Sequence, residues 1–192
     1  MEILKQRIIS DGTEIGTEIV KVDSFLNHQL DVSLFLEIGK EIKRRFSDCE
    51  INKILTIESS GIAIAALTAL YFDNIPVVFA KKTQPSTMTE DFYGAPIKSF
   101  TKGTVSIARV SKQYLSSKDK VLIIDDFLAH GEAAGGLARL VEEAGGTVCG
   151  IAAVIEKEFQ GGSARLRQAG YRVDSLAVIE KIDNGKIFFK ES

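Results

Sequence analysis

Two adjacent carboxylates follow an apolar run near the middle of the chain. Residues 121–124 are Val, Leu, Ile and Ile, Asp125 and Asp126 come next, and Gly131 opens a segment with helical spacing. A strand of this kind delivers acidic groups to its carboxyl end, while the turn and helix N-terminus present backbone N–H donors to an anion. Carboxylates accept hydrogen bonds from sugar hydroxyls and amides bind phosphate, so the segment favours a phosphosugar ligand. Helix capping and a magnesium site are the alternatives for such an acidic pair.

A second strand-turn-helix pattern lies earlier in the chain. The apolar run at 54–57 is followed by Glu58, Ser59, Ser60 and Gly61, and then by a segment rich in small residues. Amides at such a helix start can bind an anion, whereas an ordinary helix that begins at Gly after a strand is the plainer interpretation.

A basic pair, Lys81 and Lys82, ends a third apolar run at residues 75–80. Two adjacent lysines at the end of a strand are most often a solvated charge pair. Here they stand at the mouth of a polar stretch, residues 81–103, that is long for a compact domain. Such a stretch indicates a functional lid or a disordered loop.

The elements that must position these residues follow from the apolar pattern. Helical spacing predicts helices over 32–46, 136–144 and within 61–72, and Gly pairs at 145–146 and 161–162 act as stops. Short apolar runs, continuous as in strands covered on both faces, lie at 54–57, 75–80, 105–110, 121–124, 147–155 and 176–179. This alternation predicts an α/β doubly wound fold, with a mostly parallel twisted sheet flanked by helices and ligands beyond its carboxyl edge.

Length and composition predict one well-packed domain over residues 1–192, because 45% of the residues are hydrophobic and 26% are charged. The formal net charge of −2 provides no basic field for nucleic acid or an anionic membrane surface, so neither is an expected partner. The longest apolar stretch, residues 61–72, is shorter than the roughly 20 residues of a membrane-spanning helix. Cys49 and Cys149 are too few for a disulfide framework and no signal peptide is recognisable, so we expect a reducing, cytoplasmic location.

Residues 121–133 resemble the motif of the type I phosphoribosyltransferases that binds 5-phosphoribosyl 1-diphosphate (PRPP). That motif has four apolar residues, two acidic ones, an apolar pair and a small phosphate loop. The resemblance implies that Asp125 and Asp126 are the catalytic pair that contacts the ribose hydroxyls. It also implies Mg²⁺ as a cofactor that binds through PRPP, with no certain protein ligand. The implied phosphate loop consists of Ala129, His130, Gly131, Glu132 and Ala133.

Ala129 and Ala133 depart from the common family pattern, in which Thr or Ser is frequent at both positions. The xanthine branch of the family has a similar departure, with a loop of the form Ala-Asn-Gly-x-Ala in which His130 replaces the Asn here. Two hydroxyl donors are missing from such a loop. Backbone amides must therefore do more of the phosphate binding, and the ring N–H of His130 can add a donor.

The same resemblance assigns further groups to PRPP. It implies a flexible loop over residues 81–104 that closes on bound PRPP. It also implies a pyrophosphate loop formed by Glu58, Ser59, Ser60 and Gly61. The basic pair of the family, usually Arg-Lys, corresponds to Lys81 and Lys82. Lys81 keeps the charge of the usual Arg but lacks its guanidinium fork, so it cannot grip a phosphate through two parallel hydrogen bonds.

Residues 21–29 are nearly the signature of the xanthine branch, and the similarity to that branch extends through the whole chain. It implies a homodimer that joins xanthine to PRPP in purine salvage, with a hood within residues 1–50 over the base. The implied xanthine-binding residues are Val20, Asn27, Phe127 and Lys157. Without the resemblance, Lys157 between two glutamates would be surface charge and Asn27 a turn or helix cap.

A PRPP-sensing transcription regulator is the main alternative, because purine regulators resemble the chain strongly around residues 124–127. Those regulators carry a winged-helix domain, whereas the residues before 54 include the hood-like segment 22–29 and no convincing DNA-binding unit. Guanine or hypoxanthine specificity is the nearest rival among the enzymes.

We predict that residues 83–102 exchange their amide hydrogens rapidly in the free protein and become protected when PRPP or a nucleotide binds. Their polar composition buries too little apolar area to hold one conformation alone. Hydrogen–deuterium exchange with and without ligand measures this difference. Equal protection in both states would remove the segment from the mechanism.

Overall fold

A computed structural model describes residues 1–83, 91–99 and 103–191 of the chain. Within these ranges the α-helices are α1 (Glu2–Asp11), α2 (Val32–Arg45), α3 (Gly61–Ala69), α4 (Glu132–Glu143) and α5 (Gly162–Gln168). A short π-helix spans Asp23–Asn27, and 3₁₀-helices span Lys112–Tyr114 and Glu158–Gln160. No helix in the described part of the chain combines the length and hydropathy needed to cross a membrane.

Six strands form the central sheet. The strands of the described ranges are β1 (Thr13–Ile15), β2 (Ile19–Lys21), β3 (Lys53–Ile57), β4 (Val77–Ala80), β5 (Phe92–Ser99), β6 (Thr104–Ser111), β7 (Lys120–Leu128), β8 (Thr147–Lys157), β9 (Val173–Asp183) and β10 (Lys186–Phe189). The order in the central sheet is β10-β9-β8-β7-β3-β4. All neighbours run parallel except β10, which pairs antiparallel with β9 at one edge. The predicted α/β fold with a mostly parallel sheet is confirmed.

Apolar side chains at alternate positions of the central strands build a core on each face of the sheet. On β7, Leu122 and Ile124 join one cluster, and Val121 and Ile123 join the other. Helices α1, α2 and α3 cover the first face and α4 covers the second. This double coverage explains why the run that precedes the acidic pair is continuously apolar.

Helix α2 confirms the helix predicted over 32–46, apart from its last residue. Asp31 caps its N-terminus by accepting a hydrogen bond from the amide of Leu34 over 3.1 Å. Basic residues in the last turn, Lys43, Arg44 and Arg45, lie at the negative end of the helix dipole. The buried stripe consists of Leu34, Phe35, Ile38, Gly39 and Ile42, and it packs α2 on α3 and on the sheet.

The expectation of a central strand at 105–110 is wrong. Strand β6 instead pairs antiparallel with β5 in a two-stranded hairpin that is separate from the central sheet. Val105 and Ile107 are 66% and 42% exposed, whereas Ala108 and Val110 are buried. Strand β6 carries apolar residues on both faces, but only one of its faces is buried, as in a strand that borders solvent.

The polar stretch at 81–103 is more regular than its composition suggested, because residues 92–99 form β5. Gly94 and Pro96 lie inside this strand and obscured it, since both residues are rare in strand interiors. A two-stranded hairpin has only edge strands, where proline is tolerated. Within the predicted lid, residues 92–99 therefore form a paired strand in which Ala95 and Ile97 are buried, against the expectation from composition. Residues 84–90 and 100–102 lie outside the described ranges, and for them the lid stays a prediction.

Candidate active site

The acidic pair lies buried at the carboxyl end of β7, where Asp125 and Asp126 are 6% and 9% exposed. The backbone N–H of Asp126 donates a hydrogen bond to Oδ1 of Asp125 over 3.0 Å. Burial raises the pKa of Asp125 well above its usual value, the carboxylate of Asp126 raises this pKa further, and Lys82 acts against both effects. Two acidic groups held together away from water favour a ligand that brings hydroxyl donors or positive charge.

A cleft of about 410 Å³ opens beside Asp125 and the start of α4. Gly131 has a φ of 79°, a left-handed conformation that lets the chain turn into the helix. The first helical hydrogen bond of this turn runs from the amide of Gly135 to the carbonyl of Gly131 over 2.9 Å, so the amides before it point out of the helix end. All the predicted phosphate-loop residues line the cleft: Ala129, His130, Gly131, Glu132 and Ala133.

The turn between β3 and α3 reaches the same edge of the sheet, and its Glu58–Ser59 peptide bond is cis. The backbone N–H of Glu58 donates to the carbonyl of Ala80 over 3.1 Å. Its carboxylate accepts a hydrogen bond from the backbone N–H of Lys82 over 2.6 Å. Glu58 therefore ties the predicted pyrophosphate loop, which continues through Ser59, Ser60 and Gly61, to the end of β4.

Gly61 stands where a larger residue does not fit. A Cβ atom at this position would lie 2.1 Å from Oγ1 of Thr56, which is fully buried at the end of β3. Real Cβ atoms essentially never come this close to another atom. The helix start can therefore approach the strand end only because residue 61 has no side chain, a requirement that the local sequence did not reveal.

The basic pair divides between two places. Lys82 lines the cleft together with Asp125. Lys81 makes an isolated antiparallel bridge with Arg109, with both N–H to O distances at 2.9 Å, and it lines a different cavity of about 320 Å³ beside Phe79. The structure thus brings Lys82 into the cleft and leaves Lys81 outside its lining.

Of the predicted base residues, Lys157 at the end of β8 lies beside Phe127. Its ammonium group donates a hydrogen bond to the carbonyl of Glu18 over 2.7 Å and lies 5.4 Å from the centre of the Phe127 ring. Burial lowers the pKa of Lys157, and Glu18 partly opposes this effect. Lys157 is therefore a half-buried group between the sheet and the β1–β2 turn rather than surface charge.

The remaining two base residues lie in the N-terminal part of the chain. Val20 on β2 is 5% exposed and packs in the core cluster that Phe127 also touches. Asn27 ends the π-helix with an exposed side chain that makes no hydrogen bond to the described residues. The structure brings Lys157 and Phe127 into contact and leaves Asn27 open to solvent.

Beyond β7 and the start of α4, four further residues that the sequence did not indicate line the cleft: Ile97, Lys98, Thr104 and Ser106. All four belong to the β5–β6 hairpin, which the analysis had divided between a loop and a central strand. The hairpin is recognised from the pairing of residues such as Pro96 and Ile107 across its two strands. Neither residue type by itself indicates a two-stranded hairpin.

The donors present fit a magnesium ion that arrives with a diphosphate. Mg²⁺ binds carboxylate and phosphate oxygens and usually keeps several waters, so it needs few protein ligands. In the described ranges no three His, Cys, Asp or Glu side chains are grouped closely enough to hold a metal by themselves. The adjacent carboxylates of Asp125 and Asp126 match the donor type that the ion prefers.

Comparison with known proteins identifies the family. No protein-family model matches the sequence. A xanthine phosphoribosyltransferase from Clostridium novyi is 57% identical over 190 residues, which cover 99% of this chain and 100% of the relative. The chain belongs to the xanthine phosphoribosyltransferase family. Relatives of that name from Ruminiclostridium cellulolyticum and Clostridioides difficile are 54% and 48% identical, and each is covered over 100% of its length.

Solved structures agree with the fold of this family. An adenine phosphoribosyltransferase from Thermoanaerobacter pseudethanolicus has a TM-score of 0.73 at 23% identity, and the aligned region covers 92% of this chain and 98% of that protein's chain. One from Rhodothermus marinus has a TM-score of 0.72 at 28% identity, with coverages of 93% and 97%. These likenesses establish the type I phosphoribosyltransferase fold and say nothing of the base.

We predict that Gly61→Ala lowers kcat/KM for PRPP roughly 5- to 100-fold, because overpacking against Thr56 must displace the turn. The double variant Gly61→Ala with Thr56→Ala should recover part of the loss. Oγ1 of Thr56 makes no hydrogen bond to the described residues, so its removal relieves the clash without breaking a bond.

Steady-state kinetics of the wild type, both single variants and the double variant measure this coupling. Circular dichroism confirms that each variant is folded. A folded Gly61→Ala variant with full activity would show that the site does not depend on this close approach.

Proposed function

We propose that the protein transfers the 5-phosphoribosyl group of PRPP to xanthine, with release of pyrophosphate and formation of xanthosine 5'-monophosphate in purine salvage. The observation that carries the proposal is one cleft that joins the phosphate loop, Asp125 and Phe127, with Lys157 beside the Phe127 ring. The 57% identity to a relative named xanthine phosphoribosyltransferase supports xanthine as the base. We expect the enzyme to work as a cytoplasmic homodimer.

The cleft and the groups beside it at the carboxyl edge of the sheet suit the different parts of PRPP. Amides at the start of α4 would hold the 5'-phosphate, as helix N-termini commonly do. The carboxylates of Asp125 and Asp126 would accept hydrogen bonds from the ribose hydroxyls. The amides of the turn at Ser59 and Gly61 would hold the diphosphate together with Lys82, whose place in the cleft makes it a better partner than Lys81.

The chemistry requires orientation and charge placement rather than a covalent nucleophile. The bond between C1 of the ribose and the diphosphate oxygen breaks, and N9 of the base attacks C1 from the opposite face. The ring proton that the base loses passes to solvent or to the released pyrophosphate. Buried carboxylates stabilise the positive charge that develops on the sugar, and fixed amides hold the phosphates in line. When bound with PRPP, held by its oxygens and by Asp125 and Asp126, Mg²⁺ would supply positive charge to the leaving diphosphate.

The choice of base follows from hydrogen-bond donors. Lys157 would donate to one purine oxygen, with the base beside Phe127 and Val20. Asn27 would use its exposed side-chain amide to donate to the oxygen at C2 of xanthine. Hypoxanthine lacks that oxygen and would leave the Asn27 donor unpaired. Guanine carries an amino group at C2, so two hydrogen-bond donors would face each other.

We predict that Asp126→Ala lowers kcat/KM roughly 10- to 100-fold, because a charge-assisted hydrogen bond to the ribose is worth about 1.5–3 kcal/mol. The matched control is Asp183→Ala, which removes an exposed carboxylate from β9 and should leave kcat/KM unchanged. Full turnover in a folded double variant, with alanine at both Asp125 and Asp126, would make the PRPP assignment wrong.

We predict that xanthine outcompetes guanine and hypoxanthine in a turnover assay with PRPP, and that Asn27→Asp reduces xanthine use much more than guanine use. The substitution turns a donor into an acceptor, so it removes the hydrogen bond that distinguishes the C2 oxygen and can accept one from the guanine amino group. Kinetics with each base measure the change, and Asn74→Asp, in an exposed turn, is the matched control.

Two outcomes would redirect the proposal. An equal proportional loss of turnover with xanthine and with guanine would show that Asn27 supports the structure of the site but does not recognise the group at C2. No turnover with any purine, together with sequence-specific DNA binding, would favour the PRPP-sensing regulator.

A further inference from the structure

The residues that follow β8 contact the phosphate loop without lining the cleft themselves. The backbone N–H of Gly162 donates a hydrogen bond to the carbonyl of Ala129 over 3.1 Å. Three residues further along, the guanidinium group of Arg165 donates to the carbonyl of His130. Two consecutive carbonyls of the phosphate loop are therefore held by one short segment, residues 161–165, which we term the brace.

The brace fits against the loop without spare room. A Cβ atom on Gly162 would lie 2.3 Å from the carbonyl oxygen of Ala129 and 2.6 Å from the nitrogen of Gly131. Gly161 before it has a φ of 74°, which also favours glycine. Gly161 and Gly162 thus let the backbone of the brace pack directly on the backbone of the phosphate loop, and they also end the preceding 3₁₀-helix.

A buried carboxylate fixes the brace to the central sheet. Glu156 near the end of β8 is 1% exposed and accepts hydrogen bonds from the hydroxyl groups of Ser163 and Ser175. Ser163 belongs to the brace and is itself buried, while Ser175 lies on β9. A carboxylate bonded to hydroxyls from two elements restricts their relative movement, so the brace is anchored to two strands.

The held carbonyls determine where the loop amides point. In a trans peptide unit the C=O and the following N–H point in opposite directions. With the carbonyls of Ala129 and His130 directed to the brace, the N–H groups of His130 and Gly131 are directed away from it. Those two residues line the cleft, so this is the orientation that a bound phosphate requires.

We propose that Arg165 is a positioning residue for phosphate binding, which acts by holding the carbonyl of His130 so that the amide of Gly131 faces the ligand. This role rests on the proposed function, because the phosphate concerned is the 5'-phosphate of PRPP. Ala129 and Ala133 offer no side-chain hydroxyls to that phosphate, so the orientation of backbone amides has more influence on its affinity. Arg165 acts from behind the loop and does not touch the substrate.

The test compares Arg165→Ala with Arg165→Lys and with Arg167→Ala. Arg167 lies on the same helix, and its guanidinium group donates to the carbonyl of Val173 instead of the phosphate loop. We expect Arg165→Ala to raise KM for PRPP about 3- to 10-fold, the value of one hydrogen bond near the surface, with KM for xanthine unchanged. Arg165→Lys should restore part of the affinity, and Arg167→Ala should leave both KM values unchanged.

Three results would overturn the inference. These are an unchanged KM for PRPP in Arg165→Ala, an equal rise of both KM values, or the same rise in Arg167→Ala. Thermal unfolding of each variant separates a local effect from a general loss of stability. The wild type is assayed first, since absence of turnover with xanthine would refute the proposed function, whereas normal wild-type turnover with an unaffected Arg165→Ala variant would refute the brace alone.

Discussion

The alignment of three parallel strands is the constraint on which the site depends. On β7, Ile123 lies opposite Leu55 of β3, and Leu128 lies opposite Glu156 of β8. Parallel strands end at a common edge, so this alignment brings the acidic pair, the turn after β3 and Lys157 to one place. A shift of one residue in the register of these strands would move each buried side chain to the other face of the sheet. The close packing of the core on both faces opposes such a shift.

The two turns that we propose to bind phosphate groups depend on the close approach of backbone atoms. Gly61 permits the turn after β3 to pack against Thr56, and Gly162 permits the brace to pack against Ala129. The phosphate loop has alanines where relatives in the wider family often have hydroxyl side chains. If this loop binds phosphate as we propose, its affinity would rest largely on where its amides point, and the hydrogen bonds from the brace to the carbonyls of Ala129 and His130 would set that direction.

Lys157, the residue proposed to bind the base, is half-buried beside Phe127. The hydrogen bond of Lys157 to the carbonyl of Glu18 connects the central sheet with the β1–β2 turn, and its charge lies near the face of the Phe127 ring. Such an ammonium group is fixed in place and only partly hydrated. Under the proposed function, such a lysine would discriminate between bases by the position of their oxygens more sharply than an exposed lysine.

The sequence by itself determined the α/β fold, the acidic pair, the phosphate loop and the family, because each depends on neighbouring residues in a fixed order. The apolar run 121–124, the two carboxylates and the glycine-led helix are contiguous in the chain, so a local pattern sufficed to predict the strand, the turn and the helix. Only the tertiary structure decided the β5–β6 hairpin, the placement of Lys82 rather than Lys81 in the cleft, and the burial of Lys157. It also decided the partners of Lys157 and Arg165, which lie 139 and 35 residues away in the chain. Contacts over such separations arise from the packing of whole elements, and no local pattern of residue types encodes them.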